Sequence, residues 1–331
     1  MEIYHVVQKQ QNPSLLNLIP EMHLIESKLY QIIGSGKGTI HEMCSYLLQS
    51  GGKRLRPLLV ILSGKTIIPH TNDKLIAAGT AAELIHMASL VHDDIIDKSL
   101  YRRGKPSVNA LWGKKHAVLA GDFLFARAFD LMVTENLYPV LKLMVTAIQN
   151  MCAGEIEQEN FLYHTEQSET DYFNRINKKT AQLLSACCES GALISGGDQS
   201  TISALRTFGT NLGYVFQIID DVLDFTGKSD IMGKPACQDL SQGNLTLPVI
   251  YLMQHPKYGN RIKNMISSRQ LDQSNISVIN QLLEANGFIK QALDICEHCA
   301  QNAKNELAHL PEGMYRNLLE QIVDKALNRK S

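Results

Sequence analysis

Asp93-Asp94-Ile95-Ile96-Asp97 and Asp220-Asp221-Val222-Leu223-Asp224 repeat one spelling in distant parts of the chain. Each closes an apolar stretch, Leu84 to Val91 in the first case and Tyr214 to Ile219 in the second. A charged run ordinarily lies on a solvated face. Two acidic triplets of one spacing, both at the ends of apolar and helix-like segments, point to another use. On a helix the first and last Asp of a triplet stand at i and i+4, on one face and about 6 Å apart along the axis. Two such faces opposed in a bundle make an oxygen-rich clamp for a hard cation such as Mg2+, which takes carboxylates together with substrate phosphates.

Cations of matching use lie nearby. Gly51-Gly52-Lys53-Arg54-Leu55-Arg56-Pro57 sets three cations beside two glycines, just ahead of an apolar helix. Lys53 and Arg56, at i and i+3, can face one point. Glycines allow close backbone approach and helix N-termini favour anions, so a phosphate site fits as well as a solvated basic cluster does. Arg102-Arg103-Gly104 follows the first triplet, and arginine is suited to two-pronged phosphate contact. His86 stands two turns before Asp93 on about the same face, although a single His on an apolar helix is more often a satisfied core residue. Gln217, three before Asp220, shares the face of the second triplet. Lys178-Lys179-Thr180 says little by itself. Lys234 and Asp239 flank a Gly/Pro loop where a lid would close.

The elements that must position these groups read as helices. Apolar residues recur at helical spacing and clean alternation is rare. Helices are predicted over 15–33, 38–50, 55–68, 73–98, 116–135, 139–162, 169–194, 201–226, 243–254, 275–285, 287–308 and 312–329, separated by short Gly/Pro/Asn/Asp breaks. The expectation is one all-α domain over residues 1–331. With 331 residues, 44% of them hydrophobic, the chain can bury a large core. Its 32 basic and 33 acidic residues leave no basic surplus for nucleic acid. No apolar run is read as approaching the ~20 residues that span a bilayer, and the polar start, Met1 to Ser14, has no signal-peptide core, so a cytoplasmic protein is expected. The odd set of seven scattered cysteines suits reduced thiols. Two decoys are set aside. Gly34 to Thr39 resembles a phosphate loop, but Gly38 stands where Ser or Thr should follow Lys37, and no strand precedes it. Cys296-Glu297-His298-Cys299 has metal-like spacing without a second pair.

At this point the residues carry a family. The chain resembles the trans-isoprenyl (polyprenyl) diphosphate synthases over nearly its full length, through Gly51–Pro57, Glu83–Asp97 with Arg102–Pro106, Gly121–Phe129, Gly154–Gln158, Lys179-Thr180-Ala181, Phe216–Asp224, Gly233–Leu240 and Gly243–Pro248. It looks most like the catalytic large subunit of bacterial heptaprenyl diphosphate synthase. The resemblance implies an isoprenoid-synthase helical bundle with a central active-site cavity. It also implies Lys53, Arg56, His86 and Arg103 on isopentenyl diphosphate. Asp93, Asp97 and Asp220, supported by Asp94, Asp221 and Asp224, would hold Mg2+ on an allylic diphosphate. Arg102, Lys179 and Lys234 would hold that same diphosphate, and Thr180 and Gln217 would sit near the reacting carbons. Two departures stand out: Cys237 replaces a frequent Gly, and the tail from Asp324 to Ser331 lacks the family's usual aromatic.

The implied reaction is head-to-tail condensation of isopentenyl diphosphate onto an allylic, farnesyl-like starter. Diphosphate leaves only when its charge is neutralised, which metal, Lys and Arg accomplish electrostatically. Ala88 and Ser89, about one turn before Asp93, are small and leave a growth tunnel open. A long product is therefore expected, and the likeness to the heptaprenyl enzymes implies about heptaprenyl length, as a menaquinone side-chain precursor passed on transiently to a membrane. A homodimer, or a heteromer with a small regulatory subunit, is expected. A class I terpene cyclase would not need Lys53, Arg56 and His86, and a non-catalytic helical subunit would not need intact acidic triplets.

Overall fold

Asp73–Ile96, the helix that carries the first triplet, is buried on every side from Leu75 to Ile85. A helix apolar all round belongs inside a bundle rather than on its surface. By length and composition it also passes as a membrane-spanning helix, contrary to the expectation that no run does so, but 83% of its apolar window is buried within the protein. The computed structural model describes residues 19–70, 72–226 and 237–329. Among these the only strands are two-residue pieces, so the fold is all-α.

In chain order the elements are α1 (Glu21–Gly34), α2 (Thr39–Gln49), α3 (Leu55–Lys65), α4 (Asp73–Ile96), β1 (Tyr101–Arg102), β2 (Lys105–Pro106), α5 (Val108–Trp112), α6 (Lys114–Thr134), α7 (Tyr138–Asn160), α8 (Glu169–Ile176), a π-helical turn (Asn177–Ala181), α9 (Gln182–Ile194) and α10 (Gln199–Thr226). Six more follow: α11 (Gln238–Ser241), α12 (Leu247–Gln254), α13 (Gly259–Ser267), α14 (Gln273–Ala285), α15 (Phe288–Leu307) and α16 (Met314–Leu327). They fall into two compact units, residues 1–61 with 70–137 and residues 62–69 with 138–331.

In the first unit α4 packs on α6 and α1, and α2 and α5 also lean on α6. Gly79 lets α1 and α3 close on α4, since a Cβ there would lie 3.0 Å from Ile25 Cδ1 and 3.3 Å from Pro57 Cβ. Asn72 starts α4 by accepting the Lys74 N–H at 2.8 Å. Its far end is anchored by Val91 and Ile95, which join Met43, Val108, Ala117 and Trp112 in one apolar cluster. That anchor fixes the helix turn from which the first triplet emerges.

In the second unit α10 is the central helix, packed on α9, α15, α16 and the π turn. Its buried residues Leu205, Phe208, Leu212, Val215, Ile219 and Val222 recur at three and four. The predicted helix 169–194 is divided by the π turn, and 243–254 begins only at Leu247, because Thr246 is extended and Pro248 opens the first turn. The hairpin, α5, α11 and the polar α13 were not anticipated.

Candidate active site

In the first unit the three aspartates of the triplet differ in environment. Asp93 is half-buried, Asp97 caps the end of α4 in solvent, and Asp94 is buried. Arg102 grips Asp94: Nε donates to both carboxylate oxygens at 2.9 Å and a terminal guanidinium nitrogen lies 2.8 Å from Oδ1. Asn109 ties the loop behind this pair, its Nδ2 donating to the carbonyls of Asp94 at 3.3 Å and Ser99 at 3.1 Å. β1 and β2 then turn the chain, with Tyr46 Oη donating to the Pro106 carbonyl at 2.7 Å. Arg103 and Gly104 take positive φ at the turn, 52° and 73°.

That turn returns Arg103 to the glycine pair. A Cβ on Gly52 would lie 2.9 Å from guanidinium nitrogens of both Arg103 and Arg54, so a side chain there would push the two guanidinium groups aside. Arg54 is not part of an anion-binding surface. It is buried, with Nε on Glu26 at 2.5 Å, one terminal nitrogen on Glu83 at 3.0 Å and the other on the Leu48 carbonyl at 3.3 Å. It anchors the loop that carries exposed Lys53 and half-buried Arg56.

His86 lies within this cationic group. Burial pushes its pKa well below the ordinary histidine value, and Arg56, Arg103, Arg102 and Arg54 push it further. The imidazole is therefore neutral at physiological pH. The first unit thus gathers Arg56 and Arg103 beside a neutral His86, with Arg102 paired to Asp94, a cationic group suited to an anion.

In the second unit the π turn positions Lys179 and Thr180. Two glycines clasp it: a Cβ on Gly154 would meet Lys178 Cβ at 2.9 Å, and one on Gly213 would meet Ala181 Cα at 2.4 Å. Insertions of this kind in α-helices recur at functional sites. Lys179 Nζ lies 2.8 Å from Glu155 and donates to Gln158 Oε1 at 3.2 Å. Lys178 pairs with Glu157. Thr180 Oγ1 donates to Gln217 Oε1 at 2.6 Å, and Gln217 Nε2 donates to Asp221 Oδ1 at 2.8 Å. Tyr172, fully buried on α8, donates to Asp221 Oδ2 at 2.7 Å. Burial, then the Asp239 carboxylate, push the Asp221 carboxyl up to about 7, while Tyr172, Gln217 and Arg175 oppose the shift.

The outer aspartates of this triplet have other partners. Asp220 is exposed and meets Arg329 at 2.6 Å. Asp224 accepts the backbone N–H groups of Gln238 and Asp239, both at 3.1 Å, and so caps α11. Cys237, just before, is buried in a left-handed conformation (φ 59°), a backbone state that favours glycine. Lys234 lies outside the described residues. Ala88 is fully buried, and Ser89 is buried with its hydroxyl on the His86 carbonyl at 2.9 Å.

One spelling therefore has one internal logic in both units: the middle aspartate turns inward to a strong donor, and the outer two stand nearer solvent. Among the described residues no three His, Cys, Asp or Glu side chains converge to hold a metal by themselves. Hard carboxylate oxygens at the triplets' outer positions fit a hard divalent ion whose remaining ligands come from phosphate and water. Sequence reasoning missed Tyr172, Arg175, Glu155, Asn109 and the buried role of Arg54. The only available signals were Gly154 and the Gly209/Gly213 pair, whose i, i+4 spacing marks a close helix crossing.

An all-α fold with paired acidic triplets, a cationic anion site and a Thr–Gln pair defines an isoprenoid synthase of the prenyl-transferring class. The chain belongs to the polyprenyl synthetase family, whose model matches residues 37–284. Heptaprenyl diphosphate synthase component 2 of Bacillus subtilis is 37% identical over 310 residues, 94% of this chain and 88% of that protein. Octaprenyl diphosphate synthase of Haemophilus influenzae is 31% identical over 314 residues, 94% of each chain. The crystal structure of heptaprenyl diphosphate synthase from Staphylococcus aureus aligns with a TM-score of 0.89 at 34% identity, covering 94% of this chain and 98% of that one. Polyprenyl synthase from Caulobacter crescentus, complexed with calcium and isoprenyl diphosphate, aligns at 0.86 and 33% identity over 96% and 97%. The chain is a prenyltransferase, a trans-polyprenyl diphosphate synthase, and the cyclase and non-catalytic alternatives are set aside.

Proposed function

We propose that this chain is the catalytic subunit of a heptaprenyl diphosphate synthase, extending a farnesyl-like allylic diphosphate with isopentenyl diphosphate in the presence of Mg2+. Residues 1–331 would act as one domain, in the cytoplasm, with a small partner subunit and menaquinone side-chain synthesis downstream. The heptaprenyl length and the partner rest on the component 2 relative and the Staphylococcus structure. The choice of metal rests on the hard-oxygen donor set and on the calcium complex of the Caulobacter relative.

The observation that carries the reading is the gathering of Arg56, Arg102 and Arg103 around His86. A one-substrate cyclase needs cations for a single diphosphate and has no use for a second such group. In the proposed reaction Lys53, Arg56, His86 and Arg103 hold the isopentenyl diphosphate. Asp93, Asp97 and Asp220, with Asp94, Asp221 and Asp224 supporting, would be the ligands for divalent ions, and Arg102, Lys179 and Lys234 would meet the allylic diphosphate. The bound ions supply charge neutralisation of the leaving diphosphate. Thr180 and Gln217 turn oxygen dipoles toward the allylic cation without attacking it. The alkene carbon of isopentenyl diphosphate forms the new bond, and the departing diphosphate takes the proton.

Incubating the chain with Mg2+, farnesyl diphosphate and labelled isopentenyl diphosphate, with and without the small subunit, tests all of this. A heptaprenyl product is expected. A longer product would overturn the length, and a cyclised product would overturn the reaction.

A further inference from the structure

Tyr172, Asp221, Gln217 and Thr180 form one unbroken line of hydrogen bonds in the second unit, at 2.7, 2.8 and 2.6 Å. Its direction is fixed by its middle. Both Asp221 oxygens accept, Oδ2 from Tyr172 Oη and Oδ1 from Gln217 Nε2. That condition settles the Gln217 amide, which has two nearly equivalent orientations, with nitrogen toward Asp221 and oxygen toward Thr180. The Thr180 hydroxyl then spends its proton on Gln217 Oε1. What Thr180 presents elsewhere is oxygen lone pairs. Were the amide reversed, its NH2 would donate to Thr180 and the hydroxyl proton would point outward, the wrong polarity for a neighbouring cation.

Asp221 cannot keep this orientation alone. It is 3% exposed, with one oxygen on Gln217 and the other on Tyr172. Tyr172 is itself packed on all sides: fully buried on α8, edge-on to Phe173 with ring centres 5.7 Å apart, and with the Arg175 guanidinium 5.5 Å from its ring centre. Arg175 is fixed in turn by Gln167 Oε1 and the Leu245 carbonyl, both at 2.7 Å.

We infer that Tyr172 is a positioning residue for prenyl transfer, acting through Asp221 to set the direction of the Gln217 amide and hence the face that Thr180 shows the reacting carbons. The inference rests on the prenyl-transfer reading of this site and extends it to a residue that touches no substrate.

The test is a double-mutant cycle on the full chain in its active assembly, using Tyr172→Phe and Gln217→Leu. Alone, Tyr172→Phe is expected to lower kcat about 10-fold, with KM for either diphosphate changed less than about twofold. It should also raise the diphosphate released per carbon–carbon bond formed, as water captures the allylic cation. In the Gln217→Leu background the same substitution should change kcat less than about twofold. Equal losses in both backgrounds, or an unchanged release-to-bond ratio, would overturn the inference. Asp221→Asn, which keeps the volume but admits a second donor, serves if Tyr172→Phe does not fold. It should show the same uncoupling, and tight coupling in that variant would equally overturn the inference. Elongation by the unaltered chain reports separately on the underlying reading.

Discussion

Gly213→Ala tests how closely α10 must approach the π turn. The added Cβ would lie 2.4 Å from Ala181 Cα, 2.6 Å from Ala181 Cβ and 3.2 Å from Ala181 N. Carbon atoms in comfortable contact stand about 3.5 Å apart or more. The obstacle is backbone, which no rotamer change relieves, so the two segments must part by roughly 1 Å. Overpacking of this kind costs about 1–3 kcal/mol, offset by about 0.5–1 kcal/mol for replacing a helical glycine. A net loss of about 1–2 kcal/mol remains, about 2–4 °C of melting temperature for each kcal/mol in a domain of this size. The larger effect is on chemistry. Thr180 immediately precedes Ala181, and a shift of about 1 Å stretches its 2.6 Å bond to Gln217 out of hydrogen-bond range. Misplacement on that scale lowers turnover about 100-fold. Steady-state elongation with radiolabelled isopentenyl diphosphate, beside thermal melts, measures both. Gly34→Ala is the control: nothing lies within 4 Å of its added Cβ, so stability should hold or rise by up to about 1 kcal/mol with turnover unchanged. A Gly213→Ala enzyme with the melting temperature and kcat of the unaltered chain would refute the reasoning.

Three further outcomes are expected. Arg54→Met should destabilise by about 3–5 kcal/mol in urea titration, because Glu83 stays buried without its partner; a cost under about 1 kcal/mol would show that the pair is dispensable. His86 is neutral in the fold, held below its ordinary pKa by burial and the surrounding arginines. Its share of stability is therefore intact above the unfolded value of about 6.5 and is lost as pH falls below it. His86→Gln should flatten the stability–pH curve between about pH 7 and 5, and an unchanged slope would contradict the shift. Ala88→Phe, at a fully buried position, should shorten the polyprenyl product seen by chromatography and cost about 1–3 kcal/mol; a folded variant with unchanged product length would remove Ala88 from length control.

Much of the architecture was readable because its signals are local. The apolar run from Leu84 to Val91, the Gln199–Thr226 periodicity and the Gly/Pro breaks each act within a few residues. The acidic triplets were visible as spelling, but not the different duties of their members. Asp94 and Asp221 turn inward because Arg102 and Tyr172 meet them, and Tyr172 is distant from Asp221 in sequence. Arg54 looked like its neighbours Lys53 and Arg56 until Glu26 and Glu83 met it. The π turn was hidden because Asn177–Ala181 has the composition of ordinary helix, and what distinguishes it is the pressure of Gly154 and Gly213 from two other helices. α13 escaped because its sequence, Gly259 to Ser267, is mostly polar and it buries only a narrow stripe around Ile262 and Ile266.

The capping of α11 by Asp224 has a consequence for how this gene can change. The chain leaves α10 at Thr226 and returns at Cys237, whose N–H meets the Asp224 carbonyl at 2.8 Å. Departure and return are therefore both held by one residue, Asp224. A single residue inserted between Asp221 and Asp224 would swing the second carboxylate about 100° around the helix and away from the chain it holds. Insertions and deletions between Asp221 and Asp224 should therefore be purged.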